Sequence, residues 1–397
     1  MKTMTLRPLA LQQRDGTWVR QCEVRREGDG EAPHTAALWF ESEASIPPPD
    51  DDDCDSYVLA TVMEAMREDR ALIVEGRVSH RLLSNLTELQ WAWAKWRPRL
   101  YRPVEIHVDH EVRAETAGAA APGAVCAFSG GVDATFSVWR HSQGLAGYRS
   151  QDIRFCALVH GFDIPLAEHE AFERARRRAT ATLADIGLNL VPIRTNYREV
   201  ARASWEHSFS CALVSVLVNF RRVAGACLVG SSEPYDSLVI PWGSSPITDH
   251  LLGTEGFEVI HDGASHSRTE KVGVISGWKA GAENLRVCWE GDLKDANCGQ
   301  CEKCLRTRLN FLATGQQPPG SLRGADLMNA LRHIRLRNDA VRAEWRQIYE
   351  YAVAHGVHGD WVDYLPRLFD AHADHWLGRL IPAGSVGRRW INRLLQG

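Results

Sequence analysis

Residues 124–136, AVCAFSGGVDATF, restrict the fold more than any other stretch: a short apolar run, Ala124 to Phe128, breaks off into Ser129-Gly130-Gly131-Val132-Asp133. The run is wholly apolar and too short for a typical helix, so it reads as a buried strand, and the residues after Gly131 suit a helix. Two adjacent glycines let the backbone turn tightly without a side-chain clash, leaving the free amides of the helix N-terminus to face an incoming anion. Those amides and the helix dipole make a seat for phosphate. An ordinary strand-to-helix turn uses a bare Gly-Gly as well; the order Ser-Gly-Gly-Val-Asp after a strand is more particular.

A chain of 397 residues exceeds one usual core, which predicts two or three domains, and 44% hydrophobic residues are enough to bury them. The net charge of -4 argues against nucleic acid as a dedicated partner, with room left for a local basic face. No apolar run reaches the length of a bilayer span, and MKTMTLRPLALQQRDG lacks a sustained hydrophobic region and a cleavage site, so a soluble cytoplasmic protein with no membrane partner is expected. Ten cysteines suggest a disulfide scaffold in short secreted chains, but four here cluster at metal-ligand spacing, which fits a reducing compartment.

Residues 1–115 read as an N-terminal α+β domain. Thr17 to Arg25 and Ala36 to Glu41 look like short strands, and Pro47-Pro48-Pro49 followed by Asp50 to Asp53 reads as an exposed, solvated loop that lacks the glycine and ligand spacing of a calcium hand. Leu82, Leu83, Leu86, Leu89, Trp93 and Trp96 recur at helical spacing in a helix over 79–96 that Pro98 stops. Its tryptophan stripe reads as core or a domain interface, with a ligand platform as the alternative. A strand from Pro103 then leads into an Ala/Gly linker, Ala117 to Gly123.

Over 116–315 strands and helices alternate, which predicts a parallel sheet covered by helices on both faces. Strands are expected at Ile153 to Val159, Leu188 to Ile193, Ala226 to Gly230, Phe257 to His261 and Leu285 to Trp289, with helices over Leu166 to Ile186 and Trp205 to Val223. Ligands of such sheets sit outside the carboxyl ends of the strands. His160, Asp163, Asn196, Ser231, Ser232 and Tyr235 follow strand ends and form a candidate polar rim; capping a turn is the competing role for each.

Cys288, Cys298, Cys301 and Cys304 follow the pattern Cys-x9-Cys-x2-Cys-x2-Cys, with Gly299 keeping a turn open. Four thiolates fill the tetrahedral shell of zinc and leave no place for water, so a structural Zn2+ is expected over 288–304, while an iron-sulfur cluster accepts the same four ligands. Cys22, Cys54, Cys126, Cys156, Cys211 and Cys227 are scattered through apolar segments, where inert packing is the usual role.

The stretch Ser129 to Asp133 resembles SGGxDS, the PP-loop signature of the ATP pyrophosphatase superfamily, whose members cleave ATP between the α and β phosphates. No Gly-Lys-Ser/Thr of a Walker loop follows it. The final Ser of the signature is Ala134 here, and Thr135 offers a hydroxyl one place later from another direction. The resemblance implies that Ser129, Gly130, Gly131 and Asp133 handle the pyrophosphate of ATP and its Mg2+; Val132 and Thr135 beside them, and His160 and Ser231 of the strand-end rim, are further candidate cofactor-binding residues. Ser267 to Val272 resembles the second motif, SKAEI, with Arg268 as the basic residue that reaches the phosphates. Lys271 is a second candidate, whose plain alternative is a solvent-facing salt bridge. Loop, second motif and a CxxCxxC knot followed by the basic Leu305-Arg306-Thr307-Arg308 together are similar to the 7-cyano-7-deazaguanine synthase branch of queuosine biosynthesis. The resemblance covers about residues 120–315. Residues 1–115 and a helical C-terminal region, 316–397, with Arg-rich Leu331 to Arg346 and Trp/His-rich Trp361 to Trp376, have no counterpart in that branch and point to a bulkier substrate.

The resemblance implies a ligase that adenylates a carboxylate or amide carbonyl of a nucleobase-like, small-molecule or peptide substrate for attack by ammonia or an amine. AMP and pyrophosphate leave, Asp133, Arg268 and Lys271 do the positioning and charge work, and a homodimer follows by family analogy. A second reading is sulfur insertion into an adenylated carbonyl of a nucleoside, tRNA or small molecule, which needs a reactive cysteine near the loop; Cys126 and Cys211 are the candidates. A third is a nucleotide-binding scaffold without turnover.

Overall fold

The computed structural model describes residues 2–373 apart from 29, 31, 117, 325 and 337. It is an α/β fold in which a ten-stranded, mostly parallel sheet is accompanied by twelve α-helices among the described residues. The N-terminal part runs β1 (Thr3–Arg14), β2 (Thr17–Glu27), β3 (His34–Glu43), α1 (Asp55–Glu68), β4 (Ala71–Ser79), α2 (His80–Trp96) and β5 (Ile106–Val112). The loop stretch follows as β6 (Ala124–Ala127) and α3 (Val132–Ser142), then β7 (Ile153–His160), α4 (His169–Ala184), β8 (Leu190–Thr195), α5 (Tyr197–Val200), α6 (Trp205–Leu217), β9 (Ala226–Gly230) and β10 (Glu258–Asp262). The chain continues with α7 (Arg268–Ile275), α8 (Lys279–Glu283), α9 (Glu302–Ala313), α10 (Leu327–His333), α11 (Asp339–Ala354) and α12 (Asp360–Ala373). No helix among the described residues is long and apolar enough to cross a membrane.

The sheet order is β10-β9-β6-β7-β8-β3-β2-β1-β4-β5. Strands β10, β9, β6, β7 and β8 are mutually parallel. The sheet does not stop there. β3 pairs antiparallel with β8, Phe40 opposite Thr195, so the N-terminal strands extend the same sheet across residue 115. Asn196 reinforces the seam: its Nδ2 donates to the Ala37 carbonyl at 2.7 Å and its Oδ1 accepts from Trp39 N at 3.0 Å. Both faces of the central strands are covered. Val125, Cys227 and Val229 point into a core shared with α1, α2 and α6, while Cys126, Ala226 and Leu228 point the other way, to Val138 of α3 and Leu183 of α4.

Several expectations need correcting. Leu285 to Trp289 is not a strand: Arg286 N donates to the Gly130 carbonyl at 2.8 Å and Val287 N to the Asn297 side chain, so the segment braces a loop instead of joining the sheet. The Asp50 to Asp53 run is not simply solvated. Asp53 is buried and paired with Arg221, and Asp52 holds Arg77 at 2.7 Å. Strand β1, helix α1 and strand β4 add to the elements expected from the sequence. Helix α1 is buried on nearly every side, with Glu64 neutralised by Arg26 at 2.6 Å, so it has no polar face for a periodicity to show. The stripe on α2 is core, as expected: Ser79 caps the helix at Leu82 N, Leu82, Leu86, Leu89 and Trp93 are buried, and Trp93 packs on His207 of α6.

The C-terminal helices make a core of their own. Leu305 and Leu309 of α9, Leu331 of α10, Trp345 and Ile348 of α11 and Leu365 of α12 pack together. Trp376 and the rest of 374–397, with Ala117 of the expected linker and Arg337 of the Arg-rich stretch, lie outside the described residues.

Candidate functional site

After β6 the chain adds β7 and β8 on one side and then crosses to add β9 and β10 on the other, so the order reverses between β6 and β9. The crevice outside the carboxyl ends of the strands at such a reversal is where open parallel sheets bind ligands. A cavity of about 450 Å³ lies there. Its floor is the loop after β6, with Ser129, Gly131, Val132, Asp133 and Ala134 on the wall, and the ends of β7 and β9 beside it. Gly130 has φ +79°, a conformation that glycine adopts without strain, and Gly131 is the extended N-cap of α3. The first amides of α3 therefore have no partner within the helix.

Two cations converge on the first turn of α3. A capping box at Ser267, with Glu270 N donating to its hydroxyl and Glu270 Oε2 accepting from Ser267 N at 2.7 Å, fixes the start of α7. Arg268 and Lys271, three apart, then share one face. Arg268 Nη2 reaches Asp133 Oδ2 at 2.7 Å and Lys271 Nζ reaches Oδ1 at 3.1 Å. Lys271 also donates to the Ser231 carbonyl and is wholly buried, so it is no surface salt-bridge residue. Burial works against ionising Asp133, but Arg268 and Lys271 outweigh it and hold the carboxylate below its ordinary range. For Lys271 burial prevails and lowers the ammonium's value despite Asp133.

Other expected residues take different places. Gly130 and Thr135 line a small cleft behind the loop, together with Arg178 and Thr182 of α4, so the Thr135 hydroxyl does not stand in for the missing serine in the cavity. His160 is buried against Phe172, ring centroids 4.2 Å apart, with Nε2 3.0 Å from the Pro165 carbonyl; it is packed beside the sheet and is not on the cavity wall. Ser231 acts through its backbone, by holding Lys271, while Ser232 and Asp163 line the cavity. Asn196 belongs to the sheet seam, and Tyr235 is exposed outside the cavity.

Sequence reasoning missed much of the remaining wall. Phe162, Trp205 and Phe209, packed in series, and Trp242 add aromatic surface to the cavity. Trp205, Phe209 and Leu213 recur four apart on α6, a pattern that reads as core until the fold leaves it facing a cavity. Arg286 braces the loop, with Nε donating to the Ser129 carbonyl at 3.2 Å and its guanidinium 3.6 Å from Asp163. Glu233 lines the cavity almost fully buried, and burial pushes its carboxyl up to about 7. Lys303 and Arg306 come from α9, and Glu344 from α11.

The four cysteines of the knot do meet. Their sulfurs all lie within 4.8 Å of one another, and Cys298 Sγ is 3.9 Å from Cys304 Sγ. Zinc-thiolate bonds of about 2.3 Å in a tetrahedron place sulfurs about 3.8 Å apart, so the set fits such a metal. Cys298 N and Cys301 N each donate to a knot sulfur at 3.3 Å, which suits thiolates. Gly299 has φ +74°, and a Cβ there would lie 2.3 Å from the Arg323 carbonyl, so this turn needs glycine. Cys301 is the N-cap of α9, and Lys303 sits 3.2 Å over the ring of Trp289. The knot thus sets the position of the α9 cations on the cavity wall.

No family model, no curated protein and no solved structure matches the chain.

Proposed function

We propose that the cavity is a PP-loop nucleotide site and that the protein is an AMP-forming ligase. ATP adenylates a carboxylate or amide carbonyl, and ammonia or an amine displaces the AMP. The observation that carries this reading is Asp133, on the first turn after Gly130-Gly131, held between Arg268 and Lys271 at the reversal point of the sheet. The α3 amides take the oxygens of the pyrophosphate end. The carbonyl oxygen of the acceptor attacks the α-phosphorus, the bond to the β-phosphate oxygen breaks, and Arg268 and Lys271 stabilise the charge that leaves with pyrophosphate. The amine then bonds to the acyl carbon, and AMP departs with the electron pair of the C–O bond. No protein nucleophile is required; positioning carries the catalysis.

Mg2+ would supply charge neutralisation on the triphosphate, held by one or two carboxylates and the phosphates themselves. Asp163 and Asp133 are the cavity carboxylates nearest the loop in sequence that would hold it, Asp133 only by sharing oxygens already paired with Arg268 and Lys271, and the only metal-type cluster among the described residues is the four cysteines. Zn2+ in the knot would be structural, held by Cys288, Cys298, Cys301 and Cys304. The aromatic wall of Phe162, Trp205, Phe209 and Trp242 supports a planar or bulky apolar acceptor.

The cysteines disfavour sulfur transfer. Cys126 and Cys211 are buried; the Cys156 contact and burial push the Cys126 thiol well up, and burial pushes Cys211 up to about 12, so neither is a ready thiolate. ATP labelled at the α-phosphate, incubated with the zinc-loaded protein, candidate carboxylates and ammonium, tests the reading. Label appearing in AMP is the expected result. Label in ADP contradicts it, and ATP binding without pyrophosphate release moves the protein to the scaffold class.

A further inference from the structure

The wall of the cavity contains an anion already in place. Glu344 Oε2 accepts from Arg268 Nη1 at 2.5 Å and also meets Arg306 Nη1, so one carboxylate oxygen stands between two guanidiniums from different helices. Both arginines line the cavity with Ser129, Gly131 and Asp133. Their side chains are 14% and 4% exposed, so an oxygen between them is little screened by water. Around this point Asp133, Glu302 and Glu344 pair with Arg268, Lys271 and Arg306, so Glu344 cancels positive charge that a polyphosphate would use.

Helix α11 does not depend on Glu344 for its place. Trp345 is wholly buried, its Nε1 donates to Glu302 Oε1 at 2.6 Å, and Ile348 and Ala352 pack into the C-terminal core. The Glu344 side chain can therefore leave the arginines while the helix stays docked.

We propose that Arg268 and Arg306 form a two-arginine seat for the polyphosphate tail of the nucleotide, and that Glu344 fills this seat until a phosphoryl group displaces it. The proposal rests on the nucleotide reading of the cavity. It gives the C-terminal helices a role in that site: they supply the carboxylate with which the nucleotide competes. A purely structural ion pair has the opposite signature, because its loss leaves two buried arginines less well placed and improves no ligand's affinity.

Calorimetric titration of MgATP, and separately of magnesium pyrophosphate, into the zinc-loaded full chain decides between them. Glu344→Gln is expected to bind both about tenfold more tightly than the wild type, since a charged hydrogen-bonding competitor is removed. Glu344→Asp, which keeps the charge and shortens the reach, is expected to fall between the two and carries the test should Glu344→Gln fail to fold. Arg306→Gln is expected to bind both ligands more weakly; unchanged binding overturns its part in the seat. Unchanged or weaker binding in folded Glu344→Gln and Glu344→Asp overturns the proposal while leaving the nucleotide reading intact. Absence of binding in every variant, wild type included, overturns both.

Discussion

The Lys271 ammonium, fully buried, lies 3.1 Å from the Asp133 carboxylate and also donates to the Ser231 carbonyl. One side chain thereby ties α7 to the first turn of α3 and to the end of β9. Removing the shared carboxylate strands a buried cation. Asp133→Asn is expected to cost about 3 kcal/mol in urea unfolding, and Lys271→Met less, because Asp133 then keeps Arg268. Both variants are expected to lose AMP formation. The folded-state value of Asp133 is depressed, so its stabilisation is present above the ordinary carboxylate value of 3.8 and is lost as pH falls through the folded value. The stability gap between wild type and Asp133→Asn should therefore narrow in strong acid.

Glu233 should behave in the opposite sense. Burial raises its folded value from 4.5 to about 7, so the stability it contributes is whole below the unfolded value and is lost as pH rises through about 7. Glu233→Gln, which stays neutral, is expected to be more stable than wild type by about 2 kcal/mol at about pH 8, with the difference fading towards about pH 4. Thermal unfolding of both proteins across that range checks the sign.

Gly230, the last residue of β9, sits against Asp133: an added Cβ would lie 3.0 Å from its carbonyl carbon and 3.1 Å from its Cβ. Gly230→Ala must push the first turn of α3 by a few tenths of an ångström. A loss of MgATP affinity of about tenfold, with only about 1 kcal/mol lost in stability, is the expected outcome, read by calorimetry and denaturant unfolding.

The knot should control the cavity at a distance. Cys301→Ser removes one thiolate ligand at the N-cap position of α9, the helix that carries Lys303 and Arg306. Zinc content is expected to fall from about one equivalent towards none, with the fold around α9 loosened, because structural zinc contributes folding energy directly. Metal analysis with amide exchange on α9 measures both effects. Full zinc retention in the variant would contradict a four-thiolate site.

What could be read in the sequence was local. The turn at Gly130-Gly131, the helical spacing of Leu82 to Trp96 in α2 and the cysteine spacing each declare themselves within a few residues, because backbone sterics, helix periodicity and metal geometry act at that range. Residues whose role depends on distant partners were not legible. The pairing of Phe40 with Thr195 continues the sheet through a strand whose edge looks like any other, and Glu344 becomes a cavity residue only because α11 folds back over α7 and α9. His160 shows the limit from the other side. Its place after a strand suggested a ligand, and packing on Phe172 claimed it instead. Leu285 to Trp289 has the apolar alternation of a strand, yet its backbone serves the loop at Gly130.

Amide hydrogen exchange across residues 129–135, recorded on the zinc-loaded full chain with and without saturating MgATP, addresses the nucleotide seat most directly. The loop amides and the first turn of α3 are predicted to become protected when nucleotide is present. Exchange that stays the same at these amides, under conditions where calorimetry shows MgATP bound, would place the nucleotide elsewhere and contradict the account.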